Sequence, residues 1–206
     1  MTITIAIIVI TAGISLYAMR QSSIQYSLMM NPYMIKKRGQ YYRLITSGFI
    51  HGDHMHLIFN MFSFYFFGSQ LEYIFQYIFG GMGSVYFILM YVLGIIISDI
   101  PTLLKHQNNH AYNSLGASGA VAAVIFGCIL FQPLQPICLY GVLCFPGFIL
   151  GTVYIIYSYF SAKRSKDHIN HDAHLFGALF GLVYCIVLYP DSVRIFIEQM
   201  KEWNLF

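Results

Sequence analysis

Four polar side chains in an otherwise apolar chain have the types and spacing to cut an acyl bond. Ser118 sits in Gly116-Ala117-Ser118-Gly119 at the opening of one apolar segment, and His174 opens another. A serine hydroxyl is a weak nucleophile until a neighbouring base takes its proton, and an imidazole with an ordinary pKa near 6.5 does so at neutral pH. Ser118 is therefore the candidate nucleophile and His174 the candidate general base. Its helix-start position gives Ser118 free backbone N–H groups and the positive end of a helix dipole, both suited to an oxyanion. His56 and Asn60 stand at i and i+4 on one helical face, where each can donate a side-chain hydrogen bond to the same oxyanion. Asp167 and Asp172 fall nearer the surface, so a dyad rather than a triad is expected.

These residues need elements to hold them, and composition says what kind. The 206 residues are 58% hydrophobic and include only eleven basic and eight acidic side chains, with a mean hydropathy of +0.64. Soluble domains carry about 25% charged residues, so this is a membrane composition, with room for roughly six helices of about 20 residues. The expected fold class is all-α: a polytopic membrane protein built as one six-helix domain over 1–206. Apolar runs place the spans at 2–19, 54–73, 84–100, 116–131, 137–160 and 172–189. Pro101, Pro133 and Pro190 act as stops, and an interfacial tail occupies 191–206. No basic residue precedes the first run, which reads as a retained span rather than a cleaved signal. Cys128, Cys138, Cys144 and Cys185 all lie in apolar stretches and read as small buried hydrophobes. A net charge of +3 with no long basic run excludes nucleic acid as a main partner.

With six spans, the loops after the first, third and fifth share one side of the bilayer. His51, His54, His56, His106, His110, His168, His171 and His174 all fall on that side or at helix ends adjoining it. Buried polar groups in a membrane are costly and mark function, so the chemistry is sought there. At about 1.5 Å of rise per residue, Ser118, His174, Asn60 and His56 lie roughly 18–24 Å above the far face and can converge. Gly119, Ala123 and Gly127 form one ridge of small residues and Ala173, Gly177 and Gly181 another, letting two helix backbones nearly touch beside Ser118 and His174.

Together these residues resemble the rhomboid family of intramembrane serine proteases. The resemblance runs from about Tyr41 to Leu182 and rests on Tyr42-Arg43, on His51, His56 and Asn60, on Glu72, on the Gly-Ala-Ser-Gly motif, and on Ala173-His174 followed by Gly177 and Gly181. It implies a six-helix bundle, a Ser118/His174 dyad with His56 and Asn60 near the oxyanion, and hydrolysis of peptide bonds in or near transmembrane segments of other proteins. The implied partners are transmembrane substrates and the lipid bilayer, and no cofactor is implied. The family commonly carries an aromatic residue four after the serine, packed on the imidazole. Here that position is Ala122, so another ring such as Phe126 must substitute or the imidazole is less well oriented. Pro146-Gly147 is read as a kink in the fifth helix or, alternatively, as a source of flexibility there.

Orientation divides the two kinds of argument. Nine Lys and Arg lie on the histidine side and only Arg194 and Lys201 on the other, which by the positive-inside rule puts the catalytic side in the cytoplasm. The resemblance implies a bacterial cell membrane with the catalytic side extracytoplasmic, and that orientation is the one adopted. Two rival readings remain: a histidine-rich metal-ion transporter or metal-dependent membrane hydrolase, and a non-catalytic rhomboid-like binder favoured by Ala122. An aspartyl protease would need two membrane carboxylates, and only Asp99 is near a span.

Overall fold

The structure, a computed structural model, describes residues 1–139, 142–164 and 169–203. His168, Asp167, residues 140–141 of the fifth expected span and the last three residues of the tail lie outside it. Ten helices follow one another in the described residues. They are α1 (Ile3–Met19), α2 (Ser22–Leu28), α3 (Pro32–Arg38), α4 (Arg43–Thr46), α5 (His54–Phe79), α6 (Gly83–His106), α7 (Ser118–Phe131), α8 (Gly147–Arg164), α9 (His171–Leu188) and α10 (Asp191–Glu202).

Local chemistry explains several boundaries. The carboxylate of Asp53 accepts the His56 N–H and starts α5, and Gly80, at φ +56°, ends it. A single 3₁₀ turn at Gly80–Met82 then reverses the chain, so the apolar run from His54 to His106 folds as a helical hairpin. Between α1 and α5 the chain forms three short helices around a buried arginine. Arg43 donates from Nη1 to the carbonyls of Tyr26 and Met29 at 2.9 and 2.7 Å, and from Nε to Gln40. Glu72, deep in α5, caps α1 from outside: its carboxylate accepts the N–H groups of Ile3 and Thr4 and the Thr4 hydroxyl, at 2.9, 2.9 and 2.7 Å.

The small-residue ridges meet as expected. A β-carbon placed on Gly177 would lie 2.2 Å from the Gly119 carbonyl oxygen, and one on Gly181 would lie 2.1 Å from that of Ala123. α7 and α9 therefore run parallel with backbones in contact. α6 crosses them in the opposite sense, with Gly94 against Ala120 and Ser98 against Gly119. The paired contacts Gly116 with His56, Gly127 with Leu71 and Phe131 with Phe75 set α5 parallel to α7. The starts of α5, α7 and α9 and the end of α6 thus share one end of the molecule.

Two expectations are corrected, and a third is not reproduced. The segment from 137 does not open as a helix: Pro136–Leu139 and Leu143–Pro146 pair as an antiparallel hairpin, β1 and β2, closed by a Cys138–Cys144 disulfide. The domain is thus not purely α-helical, and those two cysteines are not free hydrophobes. Two prolines at its ends disfavour helix, and the apolar residues between them made it look like the start of a span. Cys128 and Cys185 are the free, buried cysteines expected. Second, α6 passes through Pro101 to His106, because the turns beyond it are fastened to α9 by Thr102 with Asn170 and by Lys105 with Asp172. Third, among the described residues only the His54–His106 run and α9 are long and apolar enough to cross a bilayer, so the six-span count is not reproduced by length and composition. α1 and α7 are apolar but have 17 and 14 residues, about 26 and 21 Å of rise.

Candidate active site

The turn that delivers Ser118 is held from below by a histidine. Gly116 takes φ +120°, a backbone region glycine occupies at little cost, and its N–H donates to the Ser47 carbonyl at 2.9 Å. The next N–H, of Ala117, donates to Nε2 of the buried His51 at 3.3 Å. That nitrogen must be unprotonated. His51 Nδ1 in turn faces the Ser15 hydroxyl at 2.9 Å, and this hydroxyl donates to the Phe49 carbonyl at 2.9 Å, so Nδ1 carries the proton. The imidazole is neutral by construction. Burial first, and then the neighbouring His56, pull its pKa down to about 3, against a smaller upward pull from Asp53. Ser118 itself is half-buried as the first residue of α7, and the N–H groups of that first turn have no intrahelical acceptor.

His56 is brought to this turn from α5. A β-carbon on Gly116 would lie 2.7 Å from His56 Cε1 and 2.8 Å from Nε2, so the glycine is what lets the ring lie against the Ser118 turn. The His51 and His56 rings meet edge to face at 4.9 Å. Asn60, one turn deeper and buried, donates through Nδ2 to the His56 carbonyl at 2.9 Å. That bond leaves its second amide hydrogen for other uses.

On the other side, α9 starts at a capped and anchored end. Asn170 Oδ1 accepts the Ala173 N–H at 3.1 Å and the Thr102 hydroxyl at 2.9 Å, and its Nδ2 donates to Asp99 at 3.3 Å. Lys105 and Asp172 add an ion pair at 2.8 Å, so the turn bearing His174 is fixed to α6 from two directions. Asp172 therefore belongs to a helix anchor. With Gly119 against the Ala173 carbonyl and Gly177, the neighbours of Ser118 and His174 are packed backbone to backbone.

The ring expected at Ala122 comes from elsewhere. Tyr154 of α8 stacks on His174 with centroids 6.1 Å apart and planes 20° from parallel, while Phe126 packs on Tyr154 at 5.7 Å. His171 meets His174 edge to face at 6.0 Å, and Tyr157 meets His171 at 5.5 Å. Beside this aromatic file lies a cavity of about 400 Å³, walled by Ser63 and Phe67 of α5, Ala122 and Phe126 of α7, and Tyr154 and Tyr157 of α8. The sequence did not single out Ser15, Asn170, Thr102 or Tyr154. Of these, only Asn170, an N-cap residue just before an apolar run, carried a local signal. Among the described residues no group of three histidine, cysteine or acidic side chains is arranged to hold a metal ion.

Comparison with known proteins agrees with this frame. The Rhomboid domain model matches residues 38–191. "RHOMBOID-like protein 12, mitochondrial" of Arabidopsis thaliana is 28% identical over 169 residues, covering 73% of this chain and 48% of the plant protein. "Putative rhomboid protease YdcA" of Bacillus subtilis (strain 168) is 30% identical over 162 residues, covering 76% of this chain and 71% of that protein. The chain spans about half the length of the plant relative. It belongs to the rhomboid family, whose members are integral membrane proteins.

Proposed function

We propose that this chain is an intramembrane serine endopeptidase that hydrolyses peptide bonds in or near transmembrane segments of other membrane proteins, using Ser118 as nucleophile and His174 as general base. The observation that carries the reading is the backbone contact of Gly119 with Ala173 and Gly177, which brings the helix-start serine and the histidine-bearing turn to one end of the bundle. In this reading α1, α5, α6, α7, α8 and α9 are the six membrane helices, and the short α7 is buried among the others. The histidine end faces away from the cytoplasm.

The chemistry follows from the groups present. His174 takes the Ser118 hydroxyl proton as Oγ bonds to the scissile carbonyl carbon, and the carbonyl oxygen becomes an oxyanion. The first-turn N–H groups of α7, with donors from His56 and Asn60, stabilise that charge. As the C–N bond breaks, the imidazolium returns its proton to the departing amine, leaving an acyl-serine. Water then attacks the ester, with His174 again taking and returning a proton. His51 makes no contact of its own with the reacting atoms; it holds the Ala117 amide and the edge of the His56 ring.

The test is covalent labelling of the purified chain with a fluorophosphonate, alongside cleavage of a model transmembrane substrate in liposomes. Wild type is expected to label at Ser118 and to cleave. Ser118→Ala should do neither, and His174→Ala should label at least about 10²-fold more slowly, as expected for loss of a general base. Chelator-sensitive cleavage that survives in Ser118→Ala would overturn the reading, as would a wild type that binds substrate but neither labels nor cleaves.

A further inference from the structure

The stacking partner of His174 stands on α8, beside the cavity. α8 meets α7 at its own start, where a β-carbon on Gly147 would lie 3.3 Å from Ile129 and one on Gly151 would lie 3.0 Å from Ile129 and 3.4 Å from Phe126, and again one turn on, where Phe126 packs on Tyr154. The 400 Å³ cavity lies between α5, α7 and this part of α8. Ile156 and Phe160 of α8 are exposed, while Val153 and Tyr157 border the cavity. Tyr154 lies one turn past this close approach, on the part of the helix that borders open space. Residue 122 is where a ring on the rigid helix would occupy the same ground. It is alanine, and it lines the cavity.

Resting on the endopeptidase reading, we propose that Tyr154 is a positioning residue whose ring seats the His174 imidazole, in place of a ring on α7. Stacked rings prefer centroid separations of about 4.5–7 Å, and the observed 6.1 Å leaves little outward travel before the contact is lost. The proposal needs the ring and not the hydroxyl, because stacking uses the π-face alone.

The full chain in liposomes with a model transmembrane substrate supplies the test. Tyr154→Phe should keep wild-type kcat and KM. Tyr154→Ala should lose about 10–100-fold in kcat, the cost of a base misplaced by about an ångström, with KM changed by no more than about threefold. The decisive variant is Ala122→Tyr in the Tyr154→Ala background, which places a ring of the same kind on α7, in a cavity with volume to receive it. It should recover most of the lost kcat. Unchanged kcat in Tyr154→Ala, or a loss that Ala122→Tyr does not restore, overturns the inference. Both results presuppose a wild type that labels at Ser118, so they leave the endopeptidase reading standing; a wild type that does not label removes that reading instead. Should Tyr154→Ala fail to fold, Tyr154→Leu carries the same comparison.

Discussion

The two nitrogens of His51 have opposite roles, one donating to Ser15 and the other accepting from Ala117, and a second proton would break the bond to Ala117. The folded chain keeps this ring neutral down to about pH 3, while an unfolded chain protonates it near 6.5. Between those limits the unfolded state binds more protons, so stability is fully present above about 6.5 and falls as pH drops through the window. One group of this kind removes about 2 kcal/mol between pH 6.5 and pH 5, at about 1.4 kcal/mol per pH unit. Thermal unfolding in detergent should therefore show a lower midpoint at about pH 5 than at about pH 7.5. In His51→Asn the midpoint should be lower at the higher pH, and its pH dependence should be markedly flatter. A variant with the wild-type slope would assign the acid sensitivity to other groups.

At the scale of elements, the α7–α9 contact is a steric claim and is open to a steric test. Gly177→Ala would put a methyl group 2.2 Å from a backbone oxygen, where no side chain can rotate away, so the helices must separate. Such overpacking costs about 1–3 kcal/mol, and it moves the His174 turn away from Ser118. Gly177→Ala should lower both the unfolding midpoint and the fluorophosphonate labelling rate. Gly13→Ala is the control. Nothing lies within 4 Å of that position in α1, and alanine there should leave labelling unchanged and raise stability by about 0.5–1 kcal/mol. Equal effects of the two substitutions would mean that the ridge is not close-packed.

That ridge was legible in the sequence because small residues at every fourth position are a local pattern, as is the Gly-Ala-Ser-Gly turn. The hairpin at 136–146 was not. Its apolar residues continue the hydropathy of a span, and only the proline at each end speaks against one. Tyr154 could not be read at all, because a tyrosine in an apolar helix carries no mark of the ring it will face. The absence at Ala122 was visible, but its remedy depended on where α8 packs. His51 was visible as part of the motif, yet its tautomer depends on Ser15, 36 residues earlier.

For the molecule as a whole, charge and kinship point to opposite orientations in the membrane. The basic residues crowd the histidine end, and the Cys138–Cys144 disulfide closes the opposite end, since α7 runs from Ser118 at the first to Phe131 next to the hairpin. Disulfides persist in oxidising compartments and are reduced in the cytosol. A catalytic end that faces away from the cytoplasm therefore puts this hairpin in the reducing interior, and the state of its two sulfurs reads the orientation. In that orientation the Cys138–Cys144 bond is reduced in intact cells, so both thiols are alkylated by a membrane-permeant maleimide and untouched by an impermeant one, while the buried Cys128 and Cys185 react with neither. A pair that resists the permeant reagent until a reductant is added, and then reacts with the impermeant one, would turn the molecule over. The positive-inside count would then be the correct guide, and the substrates would be cut at the cytoplasmic ends of their membrane segments.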